Sequence, residues 1–223
     1  MLSIVIPTLD ASESLGRLLT QCRQHDVEII VSDGLSEDDT LGVASAHQAR
    51  LAVGTPSRGT QLRRGAQMAQ GDWLLFLHAD SVLAGDWFAA VNTHMDKYSD
   101  KAGFFSLKYD SPKWAARWVE LMVAWRSLPV PIGWALPYGD QGLLISRSLY
   151  EHMGGYPDWP LFEDVKLIEV IGTKRLRKLT THIVTCAQKH EEDGFIRRGW
   201  RNFRLMRRYK NGEKIETLMK AYR

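Results

Sequence analysis

Three short, continuous apolar runs constrain this chain more than any other feature: LSIVI at 2–6, VEIIV at 27–31 and WLLFL at 73–77. Each is too short for a typical helix and shows no polar–apolar alternation, so both faces of each strand must be covered. The segments between them have helical spacing. Leu15, Leu18, Leu19 and Cys22 share one face, 40–49 and 60–69 read as two further helices, and LAV at 51–53 reads as a short strand. Strands alternating with helices predict βα units around a parallel sheet. Asp10 followed by Glu13 predicts a capping box at the start of the first helix.

The second half is less regular. GFFSLKY (103–109) reads as a strand, and Ser111-Pro112 opens an amphipathic helix carrying Trp114, Trp118 and Trp125. PVPIGWALPYG (129–139) is a loop, GLLIS (142–146) a strand with a short helix to Met153, and EDVKLIEVI (163–171) a helix. Further short strands and an Arg-rich helix follow. The expectation is one α/β domain over residues 1–223, with a mostly parallel central sheet, flanking helices and a mixed C-terminal half. The 223 residues are 44% hydrophobic and 25% charged, enough for the core of a soluble globular protein.

A net charge of +3 is too small to argue for nucleic acid, and no nucleic-acid partner is expected. Residues 194–212, however, carry six Arg and one Lys with no acid. A solvated face is the default there, and peripheral contact with a membrane surface is the sharper alternative. Cys22 and Cys186 lack metal-ligand spacing and fit a reducing compartment, with a single disulfide left open. The first residues lack the basic segment of a signal peptide, and no apolar run reaches the roughly 18 residues of a spanning helix. The expected location is cytoplasmic, or peripheral to the inner membrane face.

The strand ends carry the chemistry. They read Pro7-Thr8-Leu9-Asp10, Ser32-Asp33-Gly34 and His78-Ala79-Asp80, and ligands of open α/β sheets bind beyond such ends. Three carboxylates on one rim would repel one another unless a ligand or cation lay between them. Any one of them alone reads better as a turn or cap residue; all three together do not. Neither a dinucleotide-type GxGxxG nor a P-loop follows the first strand, so both of those nucleotide sites are disfavoured.

Taken in order, IVIPTLD, VSDGLSEDDT, GDWLLFLHADS, GDQGLLISR and GGYPDWPLFEDVKL resemble the motifs of family 2 glycosyltransferases of the GT-A fold, more narrowly a small soluble bacterial branch. The resemblance spans nearly the whole chain. It implies an inverting, metal-dependent transfer of a sugar from a UDP- or GDP-sugar to a hydroxyl acceptor, with lipid-linked acceptors among the candidates. It also implies a nucleotide-sugar-binding half over 1–100 and an acceptor-binding half over 101–223. Carried over by position, Pro7, Thr8 and Leu9 line the base and ribose pocket, and Asp33 accepts a hydrogen bond from the nucleobase. His78-Ala79-Asp80 stands at the Asp-x-Asp motif, with Asp80 facing Mg²⁺ or Mn²⁺. Glu163-Asp164 matches the pair whose second member is the general base. Arg58, placed in the loop before the third helix, is a phosphate or sugar contact or else solvated surface.

Several positions depart from that pattern. Asp10-Ala11 replaces Asn-Glu, Leu35 and Asp39 replace glycines, and Gln61-Leu62-Arg63 replaces Gln-Met-Asn. Gln188-Lys189-His190-Glu191 replaces Arg-Arg-Trp-Glu, which makes His190 a candidate further metal ligand or an ordinary surface residue. The residues Trp118, Leu121, Met122 and Trp125 are either core packing or, with 129–134, a hydrophobic acceptor lid. Arg197, Arg201, Arg204 and Arg208 share a helical face that would meet pyrophosphate, anionic lipid or solvent. Two rival functions stay open: a degenerate, non-catalytic nucleotide-sugar-binding module, and a sugar nucleotidyltransferase. The second lacks the Gly-rich basic loop it would need after the first strand.

Overall fold

The computed structural model describes residues 1–128, 136–137, 139–187, 191 and 193–222. In the first half, β1 (Leu2–Thr8), α1 (Ser12–Cys22), β2 (Glu28–Asp33), α2 (Thr40–Ala46) and β3 (Arg50–Val53) follow one another. Then come α3 (Arg58–Met68), β4 (Trp73–Phe76), β5 (Val82–Leu83) and α4 (Trp87–Lys97). The second half holds β6 (Ala102–Tyr109), α5 (Trp114–Arg126), β7 (Leu143–Ser146), α6 (Arg147–His152) and α7 (Glu163–Ile171). A 3-10 turn (Thr173–Arg175) leads into β8 (Leu176–Thr185), and α8 (Phe195–Lys210) and α9 (Ile215–Tyr222) end the described chain.

The eight strands among the described residues form one sheet in the order β3-β2-β1-β4-β7-β6-β8-β5. β1 pairs in parallel with β2 and β4, β2 with β3, and β6 with β8. The β4–β7, β6–β7 and β5–β8 pairs are antiparallel. The expected α/β architecture is therefore present, parallel in the first half and mixed in the second. Two differences stand out. The expected further short strands are the single ten-residue β8, and β5 and α4 carried no expectation at all.

The apolar runs explain the layering. Ile4, Ile6, Ile29, Val31, Leu75 and Leu77 point to one side and pack with α1 and α4, whereas Val5, Ile30, Leu74 and Phe76 point to the other. There α3, α6 and α7 cover them through Leu62, Leu149 and Leu167. Period-two side-chain direction thus feeds two cores from the same strands. A smaller cluster of Phe162, Val165, Leu205, Met206 and Leu218 fastens α8 and α9 to the start of α7.

The predicted capping box does not form. The N-cap of α1 is Ala11, without a side-chain cap bond. Instead, the polar turn after β2 caps this helix from outside: Asp38 accepts the Ser12 amide (2.9 Å) and Thr40 the Ala11 amide (2.8 Å). Asp10, with φ at 49°, turns its carboxylate to the Glu37 amide (2.8 Å). Both cysteines are free thiols, Cys22 buried and Cys186 exposed. No helix among the described residues is long and apolar enough to cross a membrane.

Candidate active site

Parallel strands bring their carboxyl ends to one rim. Thr8 pairs with Asp33, and Asp33 with Val53, across three neighbouring strands. Thr8 donates its hydroxyl to Asp33 (2.8 Å), and Ser36 gives Asp33 both its amide (2.8 Å) and its hydroxyl (2.5 Å). Asp33 is fully buried, so its carboxylate organises the turn that follows β2. Pro7 is half-buried and Leu9 exposed beside it. Gln61 of α3 clamps the two strand ends, donating to the carbonyls of Thr8 (2.7 Å) and Ser32 (3.0 Å). Sequence reasoning missed this role, although the buried side of α3 pointed to position 61.

The segment after β4 turns at His78, where the Ser81 amide bonds back to the His78 carbonyl (3.1 Å). Ala79 packs partly buried against the core, and Asp80 emerges half-buried. Thr185, the last residue of β8, donates to Asp80 Oδ2 (3.1 Å). Asp80 Oδ1 has no hydrogen-bond partner among the described residues. One free carboxylate oxygen fits a Mg²⁺ or Mn²⁺ whose other positions are filled by phosphate and water. It does not fit a cage built by protein alone, and no group of three His, Cys, Asp or Glu side chains among the described residues could hold a metal. Each of the three rim carboxylates is tied to donors of its own: Asp10 to the Glu37 amide, Asp33 to Thr8 and Ser36, and Asp80 to Thr185.

His78 is committed on both nitrogens. Its Nδ1 lies 2.8 Å from Asp140 Oδ1, and its Nε2 meets the Arg58 guanidinium. Arg58 can only donate, so Nε2 accepts and the proton sits on Nδ1 facing Asp140. With both nitrogens used, His78 has no lone pair left for a metal. Arg58 does not lie in a loop; it is the first residue of α3. Its Nε sits 2.8 Å from Glu163 Oε1. Asp140, His78, Arg58 and Glu163 thus form a continuous polar chain from the β7 approach to α7. Burial works against the charge of Arg58, but Glu163, Asp164 and Asp140 outweigh it and hold the guanidinium protonated.

Glu163 and Asp164 open α7 and differ sharply. Glu163 is buried, and burial pushes its carboxyl up to about 7; Asp164 beside it adds to the rise and Arg58 opposes it. Asp164 is half-exposed, with Oδ2 accepting the Gly139 amide (2.6 Å) and Oδ1 the Val165 amide (2.7 Å). These two bonds fix its orientation at the wall of a cavity of about 510 Å³. The cavity lies between α5, the 160–164 segment and α8, with Arg58, Met122, Trp125 and Arg198 also on its wall.

The core-packing reading of the Trp-rich helix does not hold. Trp118, Leu121, Met122 and Trp125 are all exposed, and among the described residues of α5 only Ala116 is buried. The cavity carries Arg198 from α8 rather than the stripe of Arg197, Arg201, Arg204 and Arg208. Of that stripe, Arg208 is paired twice with Glu213 (2.5 and 2.6 Å) and Arg201 with Asp193 (3.3 Å). His190, the 129–134 lid segment and Gln188-Lys189 lie outside the described residues.

Comparison with known proteins defines the class. The profile of glycosyl transferase family 2 matches residues 3–153, and the chain belongs to that family. A PGL/p-HBAD biosynthesis glycosyltransferase of Mycobacterium tuberculosis is 33% identical over 109 residues, 41% of this chain and 40% of that protein. The match thus spans well under half the length of this curated relative. Among solved structures, S. aureus TarS 1–349 in complex with UDP superposes with a TM-score of 0.65 at 14% identity, over 83% of this chain and 60% of that one. Glucosyl-3-phosphoglycerate synthase from M. tuberculosis, in complex with Mn²⁺, UDP and glucosyl-3-phosphoglycerate, gives 0.58 at 20% identity, over 83% and 70%. At these identities the likeness is one of fold.

Proposed function

We propose that the chain is an inverting glycosyltransferase that moves a sugar from a UDP- or GDP-sugar to a hydroxyl acceptor, working in the cytoplasm or at the inner face of a membrane. The observation that carries this reading is Asp164, a carboxylate oriented by two backbone amides at the wall of a large cavity. Residues 1–100 hold the donor along the strand-end rim, and 101–223 build the acceptor cavity. UDP in TarS and in glucosyl-3-phosphoglycerate synthase supports UDP as the first nucleotide to try.

Asp164 takes the proton of the acceptor hydroxyl as its oxygen bonds to the anomeric carbon. The bond from that carbon to the β-phosphate oxygen breaks on the opposite face, which inverts the configuration. Asp80 would hold a Mg²⁺ or Mn²⁺, which as a Lewis acid stabilises the negative charge of the departing diphosphate. Arg58 directs its remaining N–H groups at the donor phosphate or sugar while its Nε faces Glu163. Pro7, Thr8, Leu9, His78 and Ala79 form the walls of the nucleoside end. Asp33 has three of its acceptor positions used within the chain and no exposed surface, so a nucleobase N–H takes its fourth only with a shift of the Ser36 turn.

The test is donor turnover by the purified chain with UDP- and GDP-sugars and Mn²⁺. Asp164→Asn should lower kcat by roughly a hundredfold or more, the usual worth of a general base, with UDP affinity kept. Full activity in that variant removes the base. UDP binding without any turnover in the unmodified chain favours a non-catalytic module instead.

A further inference from the structure

Trp114, Trp118, Leu121 and Trp125 stand on one side of α5, and Leu128 continues the line just past its end. Steps of four, three, four and three residues keep to one helical face. Their exposures are 72, 50, 65, 42 and 41%. Single exposed apolar residues are normal, but three tryptophans and two leucines in one row form a patch. Met122 and Trp125 are exposed and also line the cavity, so the stripe runs to the cavity wall. α8 packs against α5, and Ile196 and Trp200 on α8 are exposed as well. Arg197, Arg204 and Arg207 are exposed beside them and make no ion pair among the described residues. α8 is the helix packed against α5, so these cations and the apolar stripe lie on neighbouring elements.

We propose that α5 docks on an anionic lipid bilayer. The row from Trp114 to Leu121 lies in the headgroup boundary, where indole rings are at home, and the free arginines of α8 attract the lipid phosphates. A second copy of the chain is the weaker occupant, because a two-fold contact through this face would bring both sets of unpaired arginines together. Resting on the transferase reading, one consequence follows: the acceptor is a membrane-borne hydroxyl compound that reaches Asp164 past Met122 and Trp125.

The test is sedimentation of the full chain with vesicles of phosphatidylcholine plus phosphatidylglycerol, and with phosphatidylcholine alone. The chain should sediment with the anionic vesicles and weakly with the neutral ones. The double variant Trp114→Ser/Leu121→Ser should bind at least about tenfold more weakly, given the apolar area removed, and Arg197→Glu/Arg204→Glu should lose the preference for anionic lipid. None of these four residues lines the cavity, so melting temperature and vesicle-free donor turnover should match the unmodified chain. Absence of sedimentation overturns the docking, and so do variants that bind like the parent. A dimer that Trp114→Ser/Leu121→Ser converts to monomer, with no vesicle binding, overturns it in favour of self-association. Sedimentation is read without nucleotide: an inactive chain that still binds vesicles removes the transferase reading and leaves the docking standing.

Discussion

Glu163 gives the stability of the fold a pH dependence. Its folded carboxyl, pushed up to about 7 by burial, holds a proton more readily than the unfolded chain does near its ordinary 4.5. The unfolded state therefore binds fewer protons between these values, and stability falls as pH rises through that window. The contribution is fully present below about 4.5 and lost above about 7, and a shift of this size is worth at most about 3 kcal/mol. Glu163→Gln keeps a neutral side chain at the site, as protonated Glu163 does, and Asp164 and Asp140 still face Arg58; its stability should be flatter between pH 4.5 and 8 and should exceed that of the unmodified chain at the alkaline end. Urea midpoints across that range measure the slope, and an unchanged slope would mean that Glu163 titrates normally. Residue-scale reading of the sequence located this pair but not the division of labour between its members, because burial at α7 depends on packing from α3. Leu35 is similar. It was visible as a replacement for glycine; that its φ is 68° was not, and a side chain in that region costs roughly 1–2 kcal/mol.

At the scale of elements, the contact between α3 and the approach to α7 joins the two halves of the candidate site. The Gly59 amide bonds to the Trp159 carbonyl (2.9 Å). A Cβ at position 59 would lie 2.1 Å from the Pro157 carbonyl oxygen and 2.6 Å from that of Trp159. Both are backbone atoms, so no rotamer change relieves the clash. Helix propensity alone would make Gly59→Ala stabilising by about 1 kcal/mol. The overlap should instead make it destabilising by about 1–3 kcal/mol and lower donor turnover, because the displaced segment leads directly to Glu163 and Asp164. A raised urea midpoint would sink this account of the joint. Most elements of the first half were legible because their strands are apolar runs that both cores need. α4 was not: its buried positions are Trp87, Ala90, Val91 and His94, and a histidine at the last of them hides the helical period. β5, only two residues long, gives no period to detect.

Across the whole molecule, the sheet order explains why the candidate metal site could be read only in part. Asp80 follows β4, but the hydroxyl that holds it comes from Thr185 at the end of β8, 105 residues later. Such a pairing is set by topology, not by local pattern. The same topology leaves Asp80 with a single free oxygen and ties His78 to Asp140 and Arg58. A divalent cation therefore needs the donor's phosphates to complete its shell, and the two ligands should bind together or weakly. Mn²⁺ alone should barely shift the melting temperature, and UDP alone only modestly. Together, at about a hundred times the dissociation constant, they should stabilise the folded chain by about 2.7 kcal/mol, a rise of roughly 5–10 °C at this length. Asp80→Ala should abolish the excess over the two separate shifts while leaving the shift with UDP alone. A large shift with Mn²⁺ alone that survives Asp80→Ala would place the cation elsewhere in the molecule.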